Sequence, residues 1–389
     1  MIRLIVIIFV LIISGFVTQK MSVKKGYSKG YLWGLLLGII GIVIVAIRPF
    51  KLNKELITKK KKFDFGPYLY ILPAAIIIIV FRLVPIILSF IVSFYDWTIT
   101  GPGKFIGFEN YITMFHDGEF WQSMLNTFYL VIFVVPISLV LSLVFANFLN
   151  GIEKLKSLFR SIYFIPTVTS MVAISIVWKI IFNQQTGLAN FFLTNIGFAP
   201  MGWLAESRGV IDLFLSSMGF NFSGFIQSFS HGIGINYNTL YLLLGGPSLA
   251  LFCIIIVTIW KGLGYNTIIY LAGLQNIPKV YYEAADIDGA GKIRQFFKIT
   301  WHMISPTTFY VLMMTTIVTF QVFSQIYLMT GPPIGGPLGT TKVIVYFLFD
   351  KGFGESNNLS YASAIALVLF GIILTLTLFQ KRLEKKVHY

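Results

Sequence analysis

The sequence predicts an all-α fold, a polytopic membrane helix bundle with a six-helix core and two further apolar segments at its N-terminus. Of the 389 residues, 56% are hydrophobic and only 12% are charged, whereas a soluble domain carries about 25% charged residues. The apolar residues form runs near the ~20 residues that cross a bilayer as a helix. Such runs do not fit a β-barrel, whose strands alternate apolar and polar residues.

Six apolar segments, here called spans 1 to 6, make up the predicted core domain, residues 63–389. Each is long enough to cross the hydrocarbon as a helix, and a helix satisfies its own backbone hydrogen bonds there. In chain order the predicted spans are Pro67–Phe94, Ser123–Asn150, Ser161–Phe182, Pro247–Leu271, Thr307–Thr330 and Tyr361–Phe379.

Residues 1–62 form a predicted N-terminal extension. Two weaker apolar segments, Leu4–Val17 and Tyr31–Ile47, are followed by a basic linker that ends in the lysine run Lys59–Lys62. A cleaved signal peptide at the first segment is an alternative, but no small-x-small cleavage site follows it. The topology of this extension stays open.

The basic residues predict an orientation. Loops on one side of the core collect most of the Lys and Arg, whereas the loops on the other side keep only Lys104, Arg208, Lys342 and Lys351. By the positive-inside rule, both termini of the core lie in the cytoplasm and the protein is a multi-pass protein of the plasma membrane. The net charge of +15 is then a topology signal. The sequence shows no basic face interleaved with stacking aromatics, which nucleic-acid binding would need.

The predicted spans lack the acidic residues that ion-coupled transport usually needs. Their only charged residues are Arg82, Lys179 and Lys261, whereas proton- and sodium-coupled transporters usually carry carboxylates at membrane depth. The sequence also lacks the GxxxxGK[ST] phosphate-binding motif. We therefore expect a separate subunit to supply the energy, and a passive channel is the alternative.

Catalysis and metal binding find little support in the sequence. Cys253 is the only cysteine, and the four histidines, His116, His231, His302 and His388, are scattered. A disulfide framework, a cysteine-based metal site and a clustered catalytic set are therefore not indicated. We expect no enzyme activity, metal site or cofactor in this chain itself.

The longest loop on the predicted cytoplasmic side, about residues 275–306, reads as two short helices. Pro278 suits the first turn of a helix, and Gly289 supplies its stop. The small Ala284 and Ala285 permit close approach of another protein, and Glu283 offers a carboxylate to a basic partner. The second helix is predicted to bury one face, formed by Ile293, Phe296, Phe297 and Thr300. An amphipathic loop lying on the membrane surface is the alternative.

This loop resembles the EAA signature of ABC-importer permeases, and the runs Ile259–Asn266 and Leu271–Pro278 resemble its carbohydrate branch. Similar residues recur over most of the core, and the overall pattern is similar to maltose, multiple-sugar and raffinose permeases. The matching runs are Phe94–Trp97, Phe105–Tyr111, Asn126–Thr127, Phe164–Pro166, Trp178, Phe320–Tyr327 and Tyr361–Ala364. Trp301-His302 departs from the usual Leu-Pro, and Ser324 replaces a frequent Asp.

The resemblance implies a heteromeric importer of a sugar or oligosaccharide. Its other parts would be a second homologous permease, two ATPase subunits that bind ATP and Mg, and an extracellular solute-binding protein. The ATPase-coupling residues carried over are Glu283, Ala284, Ala285, Asp288 and Gly289. Cargo such as glycerol phosphate or a uronic-acid oligosaccharide is the alternative, although an anion should want more cations at depth than Lys261.

The resemblance also implies a substrate path through spans 3, 4 and 5. Thr315, Thr319 and Val322 are spaced i, i+4 and i+7 and so are predicted to share a helix face. Each threonine has the alternative of bonding back to its own helix. The predicted path residues are Thr167, Ser170, Thr258, Lys261, Gly262, Thr315, Thr319, Gln321 and Val322.

The outer loop between spans 3 and 4 is longer than the family pattern, with the excess at about residues 206–246. This insert is rich in Ser, Gly, Phe and Leu. We expect it either to contact the solute-binding protein or to form an apolar lip on the membrane surface, and the sequence favours neither.

Overall fold

A computed structural model describes residues 14–15, 17–22, 42, 44–46, 66–98, 100–151, 156–234, 236–331 and 335–384. The apolar segments predicted at Leu4–Val17 and Tyr31–Ile47 lie almost wholly outside the described residues, and the run Lys59–Lys62 lies entirely outside them. The chain divides into two units, residues 1–85 and 86–389, which we describe separately.

In the first unit, residues 17–22 and 44–46 are helical. A helix from Gly66 to Ile78 follows, and it continues into a π-helical turn, Ile79–Leu83. The apolar stretch that begins at Tyr70 and runs to Val92 is a candidate membrane span, and none of its most apolar window is buried.

The second unit is helical apart from one β-hairpin, in which Tyr95–Thr98 pairs antiparallel with Gly101–Phe105. The helix Val84–Val92 leads into it. The remaining α-helices are Glu109–His116, Gly118–Gly151, Lys156–Val168, Met171–Ile181, Leu188–Asn195, Val210–Ser217, Phe222–Ile233, Tyr237–Leu244, Leu249–Gln275, Val280–Ile287, Lys292–Gln295, Trp301–Met303, Ser305–Phe320, Ser324–Thr330, Ile344–Phe353 and Leu359–Glu384. A π-helical segment spans Phe296–Thr300, and 3₁₀ turns lie at Trp203–Ala205 and Pro337–Gly339.

The predicted polytopic helix bundle is confirmed. Spans 1, 2, 4 and 6 are single apolar helices, Tyr70–Val92, Gly118–Gly151, Leu249–Gln275 and Leu359–Glu384, each long enough to cross a membrane. Spans 3 and 5 belong to bent helix pairs, so the described residues contain four such helices, or six if each bent pair counts as one span.

Two predicted spans differ from the structure. Span 3 is broken between Val168 and Met171, where the helix axis bends by 105°. Span 5 is the helix Ser305–Phe320, and the predicted continuation to Thr330 is wrong because Phe323 leaves the helical conformation at φ −140° and ψ −57°. The residues Ser324–Thr330 form a separate helix.

Span 4 is the most buried of the candidate spans. Toward one end it packs with Leu130 and Val134 of span 2 and with Ile326. Toward the other end, Tyr270 and Leu274 pack with residues of spans 2 and 5. We call the first the insert end, because residues 206–246 join span 4 there, and the second the hairpin end.

At the hairpin end, residues 280–303 form a helical hairpin, which we call the 280–303 hairpin. At the insert end, residues 206–246 fold into three helices, here called insert helix A (Val210–Ser217), insert helix B (Phe222–Ile233) and insert helix C (Tyr237–Leu244).

Candidate functional sites

A small cavity lies midway along the bundle, between spans 2, 4 and 5. Its volume is about 110 Å³, and four of the predicted path residues line it: Thr258, Gly262, Thr315 and Thr319. The other lining residues are Val134, Ser138, Tyr265, Asn266, Met314 and Val318. Ligand pockets usually measure about 300–1,000 Å³, so this cavity is smaller than an ordinary ligand pocket.

Hydrogen bonds connect the helices around this cavity. Asn266 Nδ2 donates to Thr315 Oγ1 at 3.2 Å, and Gln325 Nε2 donates to Thr258 Oγ1 at 3.2 Å. Thr258 and Thr319 also donate back to carbonyls of their own helices at 2.7 Å, the alternative raised for membrane threonines. Thr258 therefore acts as both donor and acceptor, and the mostly apolar wall carries a few hydroxyl and amide groups and no charged side chain.

The break in span 3 is held by Lys261 of span 4. Lys261 Nζ donates to the carbonyl oxygens of Pro166 at 3.1 Å and Thr169 at 2.8 Å, and it lies 3.5 Å from that of Thr167. Carbonyls at a helix C-terminus have lost their intrahelical donors, and membrane hydrocarbon supplies none. Lys261 thus acts as a C-terminal cap for the first half of span 3.

The same side of span 4 approaches the broken helix closely at Gly264. A Cβ atom built there would lie 2.3 Å from the Tyr163 carbonyl oxygen and 2.6 Å from Thr167 Oγ1. Thr167 Oγ1 is buried and has no hydrogen-bond partner in the described part of the chain. Any other residue at position 264 would therefore push the two helices apart.

The structure thus divides the predicted path residues into two groups on neighbouring faces of span 4. Thr258, Gly262, Thr315 and Thr319 meet at the cavity, whereas Lys261 contacts the carbonyl of Thr167 beside the exposed Ser170 at the break. Since a helix turns by about 100° per residue, position 261 lies about 60° from position 258 and about 100° from position 262, whereas positions 258 and 262 are about 40° apart.

Two predicted path residues lie elsewhere. Val322 is 6% exposed and packs in the apolar cluster at the insert end, and Gln321 is exposed where span 5 has ended. The predicted common face of Thr315, Thr319 and Val322 is therefore wrong, because the helix stops at Phe320. The resemblance missed Ser138, Tyr265, Asn266 and Gln325, although Asn266 follows Thr258 and Gly262 at helical spacing.

The 280–303 hairpin exposes one face of its first helix. Val280, Glu283, Ala284 and Ile287, at positions i, i+3, i+4 and i+7, are all exposed, and Ile287 reaches 88%. Glu283 forms no ion pair within the described residues. Gly289 ends the helix with φ +72°, a conformation that favours glycine. Asp288 lies exposed just before this turn.

Side-chain hydrogen bonds tie the two arms of the hairpin together. Tyr282 and Thr300 hydroxyls lie 2.8 Å apart, and Asp286 accepts from Gln295 and from Lys292. Hydrogen bonds from Gln295 and Lys292 lower the pKa of Asp286 below its ordinary value. The hairpin can therefore move as one body.

Half of the buried face predicted for the second helix is wrong. Ile293 and Phe297 are 78% and 61% exposed, whereas Gln295 and Thr300 are buried. The polar contacts to Asp286 and Tyr282 turn Gln295 and Thr300 inward, so Ile293 and Phe297 face outward. At the end of this arm the chain bends by 65° into span 5, with Pro306 in the first helical turn.

The helical bundle, the uncharged cavity at its middle and the exposed hairpin at one end define a multi-pass membrane protein of transport type. The family model described as "Binding-protein-dependent transport system inner membrane component" matches residues 111–389. The chain belongs to this family.

Known relatives agree with this placement. The probable ABC transporter permease protein YurN of Bacillus subtilis is 32% identical over 324 residues, which cover 82% of this chain and 96% of the relative. The arabinooligosaccharides transport system permease protein AraP of the same species is 31% identical, over 85% of this chain and 91% of the relative. A bacterial alginate ABC transporter, solved with a periplasmic protein bound to an alginate pentasaccharide, has the same fold, with a TM-score of 0.65, 20% identity and coverage of 83% and 95%.

Proposed function

We propose that this chain is a permease subunit of an ATP-driven importer that carries an uncharged sugar or oligosaccharide. The observation that carries the choice of cargo is the cavity wall at the middle of the bundle, which presents hydroxyl and amide groups without a charged side chain. Such groups suit the hydroxyls of a saccharide, and Tyr265 supplies an aromatic surface. The arabinooligosaccharide permease, named for a saccharide cargo, supports the same class.

The contacts of Lys261 favour neutral over anionic cargo. Lys261 is the cation of the spans that lies beside the cavity, and it is the thirteenth residue of the 27-residue helix Leu249–Gln275. Its ammonium is engaged by backbone carbonyls of span 3. An anionic cargo would have to compete with these carbonyls, and the break would lose its cap. The alginate transporter, which imports an acidic polysaccharide, keeps anionic cargo as the second candidate.

The energy for import would come from separate ATPase subunits that bind the 280–303 hairpin. Glu283, Ala284, Asp288 and Gly289 are exposed there, Ala285 is partly so, and the exposed carboxylate of Glu283 suits a basic residue of the partner. ATP and Mg would be bound by the ATPases, and this chain would contribute no cofactor. Because the arms of the hairpin are tied to each other, a push from the ATPases would reach span 5 through one rigid body.

Opening of the path needs a second permease. The cavity of about 110 Å³ is one wall, and a homologous subunit would supply the opposite one. The family is named for dependence on a binding protein, which would deliver cargo at the insert end. Movement at the hairpin would then alternate access between that end and the cytoplasm.

The distribution of basic residues supports an orientation with the hairpin in the cytoplasm. The positive-inside rule counts Lys and Arg and gives Asp and Glu little weight. The predicted outer loops keep only Lys104, Arg208, Lys342 and Lys351, whereas the other side of the core holds most of the Lys and Arg, with Lys292, Arg294 and Lys298 in the hairpin itself. The rule therefore assigns the hairpin end to the cytoplasm.

The test is uptake into proteoliposomes that contain this chain with its candidate second permease, ATPases and binding protein. We expect ATP-dependent uptake of neutral oligosaccharides, with little competition from uronic-acid oligosaccharides or glycerol phosphate. Stronger competition by the anions would overturn the cargo assignment. Uptake that persists without ATP would instead indicate a passive channel.

A further inference from the structure

The 206–246 insert is anchored to the transmembrane bundle at a defined level. Its base closes on the first turn of span 4, where Val210 N–H donates to Pro247 at 2.9 Å and Leu249 N–H donates to Arg208 at 3.0 Å. The Tyr129 hydroxyl of span 2 shares its single proton between the carbonyl oxygens of Leu242 and Leu243, at 2.6 and 2.9 Å. The end of insert helix C is therefore fastened to the side of span 2.

These contacts fix the depth of the insert. Ser248, at the start of span 4, contacts the Thr340 carbonyl, and Asn126 of span 2 contacts the neighbouring Lys342 carbonyl. Asn126 and Ser248 thus lie at about the same level. Tyr129 follows Asn126 by three residues, about 4.5 Å further along the helix. Span 4 extends about 40 Å from Ser248, against about 30 Å of hydrocarbon, so Leu242 and Leu243 lie near the outer boundary of the hydrocarbon.

Insert helix B carries three stripes with different surroundings. Phe222, Ile226 and Ser230 are buried beneath it. Phe225, Phe229 and Ile233, one helical turn apart, are 50%, 45% and 47% exposed. The third stripe is polar and exposed, with Ser223, Gln227 and His231.

The exposed apolar stripe belongs to a larger surface. The rings of Phe225 and Phe229 stack with centroids 5.9 Å apart, and Phe220 lies 5.8 Å from Phe225. On the polar side, Gln227 and His231 line an open cavity of about 710 Å³ with Asn236 and Tyr237. The helix therefore presents an apolar side and a polar side. On insert helix C, Leu243 and Leu244 are also exposed.

Charge distinguishes a lipid from a protein occupant. The insert contains only Glu206, Arg208 and Asp212 as charged residues, and none occurs from Leu213 to Gly246. Arg208 and Asp212 pair with each other. Protein interfaces are enriched in Tyr, Trp, Phe, Met and Arg and have polar rims, so the Phe residues of this surface fit either occupant. The lack of Arg and of any charged rim, beside membrane spans, favours lipid. A helix with one apolar and one polar side can lie in the plane of a membrane interface.

We propose that the 206–246 insert is an interfacial membrane anchor that buries Phe225, Phe229 and Ile233 in the outer leaflet beside spans 2 and 4. Without basic residues on insert helix B, the binding depends on apolar burial rather than on anionic lipid. The insert would hold spans 2 and 4 at a fixed depth, because it is fastened to both of them.

Site-directed spin labelling tests the proposal in the complete transporter in phosphatidylcholine nanodiscs. Cys253 is the single cysteine and is fully buried, so a Cys253→Ser background allows one label at a time. The labels are placed at Phe229→Cys on the apolar stripe and at Gln227→Cys on the polar stripe. Phe225→Cys and Ser223→Cys provide a second matched pair.

We expect the ratio of oxygen to nickel-chelate accessibility to be on the order of tenfold higher at position 229 than at 227, with or without phosphatidylglycerol. Equal nickel accessibility at both positions would overturn the proposal. Shielding of position 229 that appears only after a solute-binding protein is added would also overturn it and would assign the surface to a protein. Uptake activity does not enter this readout, so the result is independent of the transport assignment.

Discussion

The 280–303 hairpin and the 206–246 insert lie at opposite ends of the bundle, and each exposes apolar side chains. In the hairpin, the exposed Val280, Ile287, Ile293 and Phe297 are interspersed with six charged residues, whereas the insert has three in a longer segment. Charge beside apolar surface gives orientation and specificity to a protein interface. An apolar surface without charged residues suits lipid. Exposed apolar area alone therefore does not identify the partner.

The largest expected effect is at the hairpin. Glu283→Arg should lower association with the ATPase subunits on the order of 100-fold, because a like-charge contact costs several kcal/mol and each 1.4 kcal/mol is a factor of ten. Copurification and ATP-dependent uptake measure it. Glu283→Gln, which removes the charge without reversing it, should weaken the association with the ATPase subunits less. Unchanged association of Glu283→Arg would remove the hairpin from the coupling role.

The second prediction concerns the break in span 3, whose carbonyls accept hydrogen bonds from Lys261. Lys261→Met should destabilise the protein by about 1.5–3 kcal/mol, the usual value of a hydrogen bond to a charged group, and should reduce uptake while ATPase association persists. The apparent melting temperature in detergent and the uptake rate measure these effects. Lys179→Met, at an exposed lysine of the same broken span, is the matched control and should keep its stability. Full stability of Lys261→Met with selective loss of anion uptake would show that Lys261 binds cargo.

A pair of apolar-to-serine changes compares the two surfaces directly. Ile287→Ser in the hairpin should weaken ATPase association about tenfold, since burial of an Ile side chain contributes about 1.5–3 kcal/mol. Phe229→Ser in the insert should leave that association unchanged. Titration of the ATPase against both variants in detergent measures the difference, and equal affinities for the two variants would contradict the assignment.

The smallest expected effect concerns two carboxylates that tie neighbouring helices. Burial by itself raises the pKa of Asp212, but hydrogen bonds from Arg208, Tyr241 and Ser216 together outweigh it and hold the pKa below the ordinary 3.8. A lowered folded-state pKa stabilises the fold above the unfolded value, and this stability is lost as the pH falls through the folded value. The protection of insert amides against hydrogen exchange, measured relative to the intrinsic exchange rate at each pH, should therefore fall below about pH 4.

Asp286 is the comparison for Asp212. Its pKa is also lowered, but its side chain is half exposed, and exposed pairs contribute little. Asp212→Asn should lower the protection of the insert amides against hydrogen exchange and remove its dependence on pH, whereas Asp286→Asn should change the protection of the hairpin less. An equal loss of protection in the insert and in the hairpin would show that the burial of Asp212 does not make it more stabilising than Asp286.

The positions of the spans were predictable because an apolar run of membrane length has few alternatives to a helix. The hairpin was predictable for a local reason, since Gly289 at positive φ marks its turn. The resemblance indicated Thr258, Gly262, Thr315 and Thr319 as path residues, and the structure brings the four together at one cavity. Their role in transport stays a prediction.

Other features depended on contacts between distant residues. Residue types along the chain determined that this protein crosses a membrane, lacks coupling carboxylates in its spans and carries a two-helix loop, because hydropathy and helix signals are local. Only the tertiary structure decided that Lys261 caps span 3 rather than standing free in the path, and that Gln295 turns inward while Ile293 and Phe297 face outward. A buried polar group lies where its hydrogen-bond partner is, and the partners Pro166 and Thr169 are more than ninety positions away along the chain.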